Sequence, residues 1–594
     1  MSEIKKEPLL FLSHANANYL DRKYGNHGLT VPKPHLLDQN KKKYEWSKQH
    51  TVWMIFGECD VPSLEKICNE IDKSSRVVFI DSVDPASYAI TEENYRRLHN
   101  LILERKLQII ACGSVEDRAE KFSEMLDIKL MDSWQPVIPE CMLDSQPEDV
   151  SRLIKTLGSK INFKILHKNT IQVTSSKFLR NALINAPLAN KPLPMQPFKN
   201  SCNQRPVLIV AAGPSLNKQL NLLRDNQDLF TILAVDTVWS ILNKNGIIPD
   251  YLLAVDSRSK PSWPINGLNP STKLVVEMGC APGLVWSHNS NHVFTYTNAL
   301  MQDCINQLGG HADSLRTGGS VATSAFDLAC QLGGNPIVFI GQDLALTGGK
   351  DHAEGYPHAY TENKLEAKKK AGFDVEGYYP GVVRTERQLM MYKTWFEERI
   401  SELPEIMVIN ATEGGAKIKG TYQLPFEQVC NEIKSTSLRK TKTPFPIIKN
   451  GIDLIHLGNL IKSTNELLTQ VHGLQNIASE GISYCKKKKY SNTKRILNLE
   501  KINKKIKEYN RNAKFVIEVF GQRELEEVTR KAHRAIDEAN LQLEISMYED
   551  IYNQILEKSE STIKMLNSIL EFYRKIQASP NIDPTLLNEI TSDH

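Results

Sequence analysis

The sequence predicts an α/β protein with a doubly wound, Rossmann-like central domain, a smaller N-terminal α/β domain and a C-terminal all-α helical domain. Two observations lead to this fold class. Short apolar runs alternate with helical patterns through the first two thirds of the chain, which is typical of parallel sheets covered by helices. Beyond about residue 445 these runs stop and apolar residues recur at helical spacing, which indicates long packed helices.

The length of 594 residues is too great for one hydrophobic core. We expect an N-terminal α/β domain over 1–145, a helical segment and Pro-rich linker over 146–200, a central Rossmann-like domain over 201–440 and a helical domain over 441–594. The linker prediction depends on prolines, which disfavour regular structure. They are Pro187, Pro192, Pro194 and Pro197.

Composition excludes several classes of protein. A net charge of +4 is too small for this length to indicate nucleic-acid binding. No apolar stretch approaches the roughly 18 residues of a membrane span, and Glu3 and Glu7 make the amino terminus a poor signal peptide. We therefore expect a cytoplasmic protein. Ten cysteines without a C-x-x-C pair indicate neither a zinc site nor a disulfide scaffold, and Cys59, Cys112 and Cys280 are expected to be buried thiols.

The N-terminal part has strand-like runs at 51–56, 76–80 and 107–111, with helical patterns at 63–72 and 92–105. The turns GECD and DSVD follow the first two runs. GECD lacks the glycine spacing that close approach to a pyrophosphate requires. We interpret this part as a structural or acceptor-docking domain, and a second active site is the less favoured alternative.

The central part predicts six strands and four helices. Runs that are apolar on both faces suit strands buried between two helix layers. The runs are 206–212, 230–235, 250–255, 274–278, 336–340 and 406–409, and the helices are 215–226, 237–245, 321–332 and 386–401.

The first central run ends in Ala-Ala-Gly-Pro-Ser-Leu, and open parallel sheets bind ligands beyond the carboxyl ends of their strands. Gly213 can adopt a positive φ and lets a ligand approach the backbone. Pro214 suits a first helical turn, and Ser215 and Leu216 lie where free N–H groups favour a phosphate. An ordinary strand–helix turn is equally compatible. The lysine of a P-loop is missing, which disfavours ATP hydrolysis of that type.

Other strand ends carry polar residues too. Asp236-Thr237 and Asp256-Ser257 can bind a ribose, a base or a metal, or can cap helices. Gly318, Gly319 and Ser320 open a second helix that can face an anionic group. A buried strand ends in Gln342-Asp343, and these side chains must be paired or solvated. Thr412, Glu413, Gly414 and Gly415 follow the last strand.

The loop 347–360 holds His352, Glu354, Tyr356, His358 and Tyr360. Both histidines and Glu354 could ligate a metal, although their spacing is not diagnostic. Loop histidines also suit proton transfer near pH 7. A mobile surface loop is an equally good interpretation.

Five motifs within 200–430 resemble the motility-associated factor (Maf) flagellin glycosyltransferases, whose central domain is similar to bacterial sialyltransferases. They are AAGPSL, PDYLLAVDS, GGSVATSAFDLA, GQDLALTGG-x-x-HA and NATEGGAKIKG. The resemblance implies transfer of a nonulosonic acid, of pseudaminic or legionaminic type, from a CMP-sugar to Ser or Thr of flagellin, in support of flagellum assembly and motility. It implies no metal cofactor, because a CMP-sugar carries a single phosphate.

For a transferase of this kind we hypothesise roles for the site residues, although no residue here aligns with the later-loop histidine base of the sialyltransferase-like enzymes. Asp343 or His352 would be the base, and Tyr356 or Tyr360 would donate to the departing phosphate. The expected nucleotide-sugar-binding residues are Gly213, Pro214, Ser215, Leu216, Asp236, Thr237, Asp256, Gly318, Gly319, Ser320, Thr323, Gln342, Thr412, Glu413 and Gly414.

Two other functions stay open. The turn and the Asp pattern also resemble archaeal 6-hydroxymethylpterin diphosphokinases, which use ATP and a metal but are shorter. A non-catalytic flagellin-binding protein is the third possibility. The stretch 486–514 carries twelve Lys or Arg against two Glu. It is either a solvated helix face or a basic surface for an acidic partner or membrane headgroups.

Overall fold

The structure is a computed structural model that describes most of the chain from residue 51 onward. The described residues are 51–56, 61–72, 75–80, 92–104, 106–110, 118, 122, 133–137, 157, 175–189, 200–258, 268–269, 271–286, 292–296, 313–356, 361–436, 452–519 and 541–579. Contacts divide the chain into two compact units. The first takes in Met1–Gln172, Ala478–Lys505 and Gly521–Gln554, and the second takes in Val173–Ile477, Ile506–Phe520 and Ile555–His594.

The first unit contains a four-stranded parallel sheet with the order β3-β2-β1-β4. Its strands are β1 Thr51–Phe56, β2 Arg76–Ile80, β3 Leu107–Ile110 and β4 Ser133–Val137, and α1 Val61–Glu70 and α2 Glu92–Leu103 alternate with them. Trp53, Phe79 and Leu98 lie in one buried apolar cluster. The predicted small α/β domain is therefore confirmed as a fold. The turns GECD and DSVD, with Cys59 and Cys112, lie outside the described residues.

The second unit is built on a nine-stranded sheet in which every pairing is parallel. The strand order is β10-β9-β8-β7-β6-β5-β11-β14-β15. The strands are β5 Val207–Val210, β6 Thr231–Val235, β7 Tyr251–Ala254, β8 Lys273–Glu277, β9 His292–Tyr296, β10 Asp313–Ser314, β11 Ile337–Ile340, β14 Val408–Asn410 and β15 Tyr422–Gln423. Every residue of β5 to β8, of β11 and of β14 is buried, as expected for strands covered on both faces.

Seven α-helices accompany these strands in the described residues between 207 and 436. They are α3 Leu220–Asn226, α4 Trp239–Lys244, α5 Pro282–Trp286, α6 Val321–Gln331, α7 Glu362–Ala371, α8 Arg387–Ser401 and α9 Phe426–Ser435. Phe326 of α6 packs edge-on against Phe396 of α8, with ring centroids 5.8 Å apart. An antiparallel hairpin, β12 Phe373–Glu376 and β13 Val382–Thr385, is inserted between β11 and β14.

The six predicted central strands are all present, and the doubly wound fold is confirmed. Three strands of the sheet were not predicted, namely β9, β10 and β15. β10 and β15 are two residues long and lie at the sheet edges, so they are too short to carry an apolar pattern. The hairpin β12–β13 was also missed, because its side chains are mostly exposed and alternate little.

The C-terminal part is helical, as predicted. Its long helices are α10 Leu454–Lys486, α11 Asn492–Glu508 and α12 Leu541–Ala578. Buried Leu460, Leu467 and Leu474 recur along α10 at the spacing of one helix face. Within the described residues, no helix combines the length and the apolar character of a membrane span. The four-part division of the sequence stays a prediction.

Candidate functional site

The order of the strands defines one topological switch point in the nine-stranded sheet. From β5 the chain adds β6 to β10 on one side, and then crosses to add β11, β14 and β15 on the other. β5 consequently pairs with β6 and with β11. Parallel sheets of this kind bind ligands outside the carboxyl ends of the strands at such a point. The turn 211–216 and the segment 341–343 leave the sheet there.

Ser215 and Asp343 join the two segments that meet at the switch point. The Ser215 hydroxyl donates to Asp343 Oδ2 at 2.6 Å, and the Ser215 backbone N–H faces both carboxylate oxygens at 3.3 Å. Both side chains are buried. Burial raises the pKa of the Asp343 carboxyl above its ordinary value, and the hydrogen bonds from Ser215 act in the opposite direction.

Gly213 is required for space rather than for an unusual backbone angle. We expected a possible positive φ, but its φ is −69° and its ψ is 158°. A Cβ atom here would lie 2.0 Å from Asp343 Oδ2 and 2.4 Å from Gly341 O. The Gly213 N–H also donates to Gly341 O at 2.8 Å. The glycine therefore allows the two backbones at the switch point to touch.

The loop after β14 completes the enclosure of Asp343. Ala416 N–H donates to the backbone oxygen of Asp343 at 2.7 Å. Gly415 has a φ of +72°, and a Cβ at this position would lie 2.1 Å from the same oxygen. A Cβ at Gly414 would come within 3.1 Å of Ser215 Cβ. Three strand ends therefore converge on one carboxylate.

The helix predicted at 215–226 differs from expectation at its start. The chain first forms a 3₁₀ turn, Pro214–Lys218, and the α-helix α3 begins at Leu220 and is seven residues long. The Ser215 N–H was expected to face a phosphate. It instead points to the Asp343 carboxylate, which takes the place of an anionic ligand at this turn. Leu216 beside it is fully buried.

Two buried amides at the same strand ends have unsatisfied polar atoms. Among the residues that the structure describes, Gln342 Oε1 and Asn410 Nδ2 have no hydrogen-bond partner, although both residues are buried. The Gln342 backbone N–H donates to Thr412 Oγ1 at 3.3 Å. A buried polar atom without a partner costs about 1–3 kcal/mol. Such atoms beside the switch point are consistent with a polar ligand or ordered water there.

Glu413 is fixed by its neighbours rather than pointing freely into solvent. Its φ of +54° is unusual for a residue with a side chain. Its Oε1 atom accepts hydrogen bonds from Gln219 Nε2 at 3.1 Å and from Phe426 N–H at 2.9 Å. Gln219 Nε2 also donates to Ala411 O at 2.5 Å. Glu413 thus links the loop after β14 to the segment that follows Ser215.

The loop that follows Asp343 carries a histidine in a defined orientation. His352 Nδ1 lies 2.9 Å from Asp351 Oδ2, and the imidazole stacks on the Tyr356 ring with centroids 4.1 Å apart. Ala353 N–H donates to Ala212 O at 2.8 Å, which fastens the loop to the turn after β5. Tyr360 and His358 lie outside the described residues. The structure therefore brings His352 and Tyr356 to the switch point.

The second predicted helix start is capped by its own side chains. Ser320 is the N-cap of α6 and accepts from Thr323 N–H, while Thr323 Oγ1 accepts from Gly318 N–H at 2.8 Å. A Cβ at Gly318 would collide with the Trp395 ring at 2.4 Å, and Gly319 has a φ of +91°. These residues close the helix end against α8. The Ser320 and Thr323 side chains, which were expected to bind a ligand, instead cap the start of α6.

The strands β6, β7 and β8 each end beside a carboxylate, which makes this half of the sheet edge acidic. Asp236 Oδ1 accepts from Thr237 N–H at 2.8 Å, and Asp256 pairs with the exposed Arg258. Glu277 is buried and accepts from Gly279 N–H at 2.9 Å. Burial raises the pKa of the neighbouring Cys280 thiol well above its ordinary value, and the nearby carboxylates raise it further.

Two buried asparagines hold the loops of the acidic half in place. Asn181 Nδ2 donates to Ser257 O at 2.8 Å and to Gly279 O at 3.0 Å. Asn185 Nδ2 donates to Met278 O at 3.0 Å and to Cys280 O at 2.9 Å. Both belong to a helix at residues 175–185. This helix therefore satisfies backbone carbonyls that would otherwise be unpaired beyond β7 and β8.

Several side chains at the switch point and in the acidic half were not predicted, among them Asn181, Asn185, Asp351, Glu277 and Gln219. Asp351 precedes the predicted His352, and an acidic neighbour of a loop histidine was an available signal. Glu277 is an acidic residue inside an apolar strand, which was a second signal. Gln219 gave none, because its partners lie almost two hundred residues away in the sequence. Across the described residues, no three His, Cys, Asp or Glu side chains are grouped so that they could hold a metal ion.

Comparisons with known proteins match stretches of the chain of different lengths. Residues 180–349 match the model of a family described as 6-hydroxymethylpterin diphosphokinase MptE-like. An 88-residue stretch is 35% identical to an uncharacterized protein of Treponema pallidum (strain Nichols), and covers 15% of this chain and 41% of that protein. A second uncharacterized protein of the same organism is 24% identical over 260 residues, covering 41% of this chain and 45% of its own length. The chain thus spans less than half the length of these curated relatives.

A solved structure titled as the MAf glycosyltransferase from Magnetospirillum magneticum AMB-1 is similar over 91% of this chain and 82% of its own. The identity is 14% and the TM-score is 0.47. A likeness at this level does not bear on function.

Proposed function

We propose that this chain is a cytoplasmic glycosyltransferase that moves a nonulosonic acid from a CMP-activated donor to Ser or Thr hydroxyls of flagellin. The observation that carries the proposal is the convergence of the Ser215–Asp343 pair and the His352 loop at one switch point. We accordingly assign the nucleotide site to this sheet edge, where a candidate proton acceptor also lies. The motif resemblance within 200–430 supplies the donor and the acceptor.

The proposed chemistry is one displacement at the anomeric carbon of the sugar. The bond from that carbon to the phosphate oxygen breaks, and CMP leaves with the bonding electrons. The acceptor hydroxyl oxygen forms the new bond, and its proton passes to His352. The sugar's own carboxylate lies beside the electron-poor centre. Tyr356 stacks on His352 and is the described residue that could donate to the departing phosphate.

Geometry distinguishes the roles of the two candidate bases, Asp343 and His352. Asp343 accepts from the Ser215 hydroxyl and faces the Ser215 backbone N–H, so we assign it to shaping the nucleotide turn. His352 is partly exposed, with 29% of its side chain accessible, so a substrate hydroxyl can reach it. Gln342 and Asn410, with their unsatisfied buried atoms, are the amides that a bound donor would pair. The acidic half would then hold ribose hydroxyls through Asp236.

A second candidate function is ATP-dependent diphosphate transfer to a hydroxymethylpterin-like alcohol. The match of residues 180–349 to the MptE-like family model favours it. This alternative uses the same switch point but a different nucleotide. A third, non-catalytic function predicts flagellin capture that does not depend on a CMP-sugar.

One experiment separates the three. Flagellin is co-expressed with this chain and a nonulosonate pathway, and its intact mass is measured for wild type, His352→Gln and Asp343→Ala. We expect a mass gain of one nonulosonate per site with wild type and a large loss of that gain with both variants. Full modification by both variants would refute the site. Unmodified flagellin together with Mg-ATP-dependent diphosphate transfer by the purified chain would establish the second function instead.

A further inference from the structure

Asp351 differs from the other charged residues of its loop because its side chain is almost completely buried. Only 8% of the side chain is accessible, and its Oδ2 atom lies 2.9 Å from His352 Nδ1. Lys350 and Glu354 in the same loop form an exposed ion pair instead, with 55% and 71% of their side chains accessible. An exposed ion pair of that kind contributes little to the stability of the fold. A buried carboxylate in contact with an imidazole is typical of a functional site.

The imidazole is fixed by more than this one contact. Its face stacks on Tyr356 with an interplanar angle of 22°. The loop directly after His352 is tied to the turn after β5, since Ala353 N–H donates to Ala212 O and Glu354 N–H donates to Asn217 Oδ1 at 3.0 Å. The ring plane and its position relative to the Ser215 turn are therefore both determined by the fold.

We propose that Asp351 is the positioning residue that makes His352 a base. An ionised carboxylate only accepts hydrogen bonds, so the bond to Asp351 places the ring proton on Nδ1. The lone pair of the neutral ring is then on Nε2, the atom that takes the proton of the acceptor hydroxyl. The negative charge also stabilises the imidazolium that forms. Within the described part of this loop, residues 347–356, the charged or titratable groups besides His352 are the Lys350–Glu354 pair, Asp351 itself and Tyr356. This role rests on the proposed transferase function.

The test uses Asp351→Asn in the full-length protein, with Lys350→Gln as a matched control that breaks the exposed pair of the same loop. Purified variants are assayed for transfer from the CMP-sugar to flagellin. We expect Asp351→Asn to lower kcat by about 10²–10⁴-fold with KM within about 3-fold. Asp351→Glu should recover part of kcat, and Lys350→Gln should match wild type.

A second readout does not depend on turnover. Protein labelled with ¹⁵N-histidine is examined by NMR, and the His352→Gln variant assigns the His352 signals. We expect the neutral His352 ring to carry its proton on Nδ1 in wild type and to lose that preference in Asp351→Asn. If wild type shows this tautomer but transfers no sugar, the proposed function fails and the positioning by Asp351 stands. An unchanged tautomer in Asp351→Asn, or an equal loss of kcat in Lys350→Gln, would overturn the proposal.

Discussion

The two halves of the carboxyl edge of the large sheet bury their carboxylates in different ways. At the switch point, three glycines allow the segments around Asp343 to come close, and Ser215 donates to that carboxylate from its hydroxyl and its backbone N–H. In the acidic half, the carboxylates of Asp236 and Glu277 each bond a nearby backbone N–H, and asparagines from residues 175–185 pair the carbonyls. The first half depends on close backbone approach, whereas the second depends on side chains from one helix.

The two halves should therefore differ in how they respond to amino-acid substitutions. Backbone that is packed against backbone has little room to relax, because neither side can change rotamer. Side-chain hydrogen bonds can be removed one at a time, and the cost is limited to the groups left unpaired. We expect substitutions in the switch-point half to destabilise the fold by steric conflict. Substitutions in the acidic half should destabilise it by removing hydrogen bonds.

The largest expected effect is that of Gly213→Ala. Its Cβ would lie 2.4 Å from the backbone oxygen of Gly341, so we expect a loss of about 3 kcal/mol in the free energy of unfolding. Gly279→Ala in the acidic half would meet the half-buried Phe178 ring at 2.2 Å and the Phe178 backbone oxygen at 2.9 Å. The ring can move, and this oxygen lies farther from the added Cβ than Gly341 O does at Gly213, so we expect a smaller loss of about 1–2 kcal/mol. Urea unfolding of both variants measures the difference.

The control for this pair is Gly283→Ala, where a Cβ would meet nothing within 4 Å. Gly283 lies in α5, so the change should be neutral or stabilising by up to about 1 kcal/mol. The contrast between the two halves would be lost if Gly279→Ala cost as much as Gly213→Ala.

The next effect is that of Asn185→Ala, which removes the donors to Met278 O and Cys280 O. Two buried carbonyls lose their partner, so we expect destabilisation by about 2 kcal/mol or more. Cys280, which is fully buried, should also react faster with a thiol reagent. Asn245→Ala, which removes one part-buried bond to Ile241 O, is the control and should cost about 1 kcal/mol. An unchanged Cys280 labelling rate would show that Asn185 does not hold this edge.

The smallest effect is a pH dependence at Asp343. An aspartate ordinarily has a pKa of about 3.8, and burial in the folded protein raises the pKa of Asp343 above that value. The folded state therefore binds the proton more tightly than the unfolded chain does. The contribution of the group to stability is therefore fully present below the unfolded pKa and declines as the pH rises through the folded pKa. Asp343→Asn cannot titrate. We expect the stability of wild type relative to this variant to fall as the pH is raised from about 4.

Urea unfolding at several pH values measures this trend, and Asp225→Asn, at an exposed aspartate on α3, serves as the titration control. A difference between wild type and Asp343→Asn that stayed constant with pH would show that the carboxyl titrates as it does in the unfolded chain.

Much of the fold was predictable because its signals are local. Six buried strands are continuous apolar runs, and α6 and α8 begin and end within one residue of their predicted bounds. The hairpin β12–β13 and the edge strands β10 and β15 were not predictable. β10 and β15 have only two residues each, and the side chains of the hairpin are mostly exposed, so none of these elements carries an apolar pattern.

The sequence by itself determined which residues lie at the carboxyl edge of the sheet, since each motif directly follows an apolar run. It determined neither the partners of those residues nor the reason for Gly213. Only the tertiary structure brought Ser215 to Asp343, which lies 128 positions away, and placed the Asp351–His352 loop on the turn after β5. The physical reason is that a parallel sheet orders its strands by crossover connections. Residues far apart in the chain therefore become neighbours at the switch point.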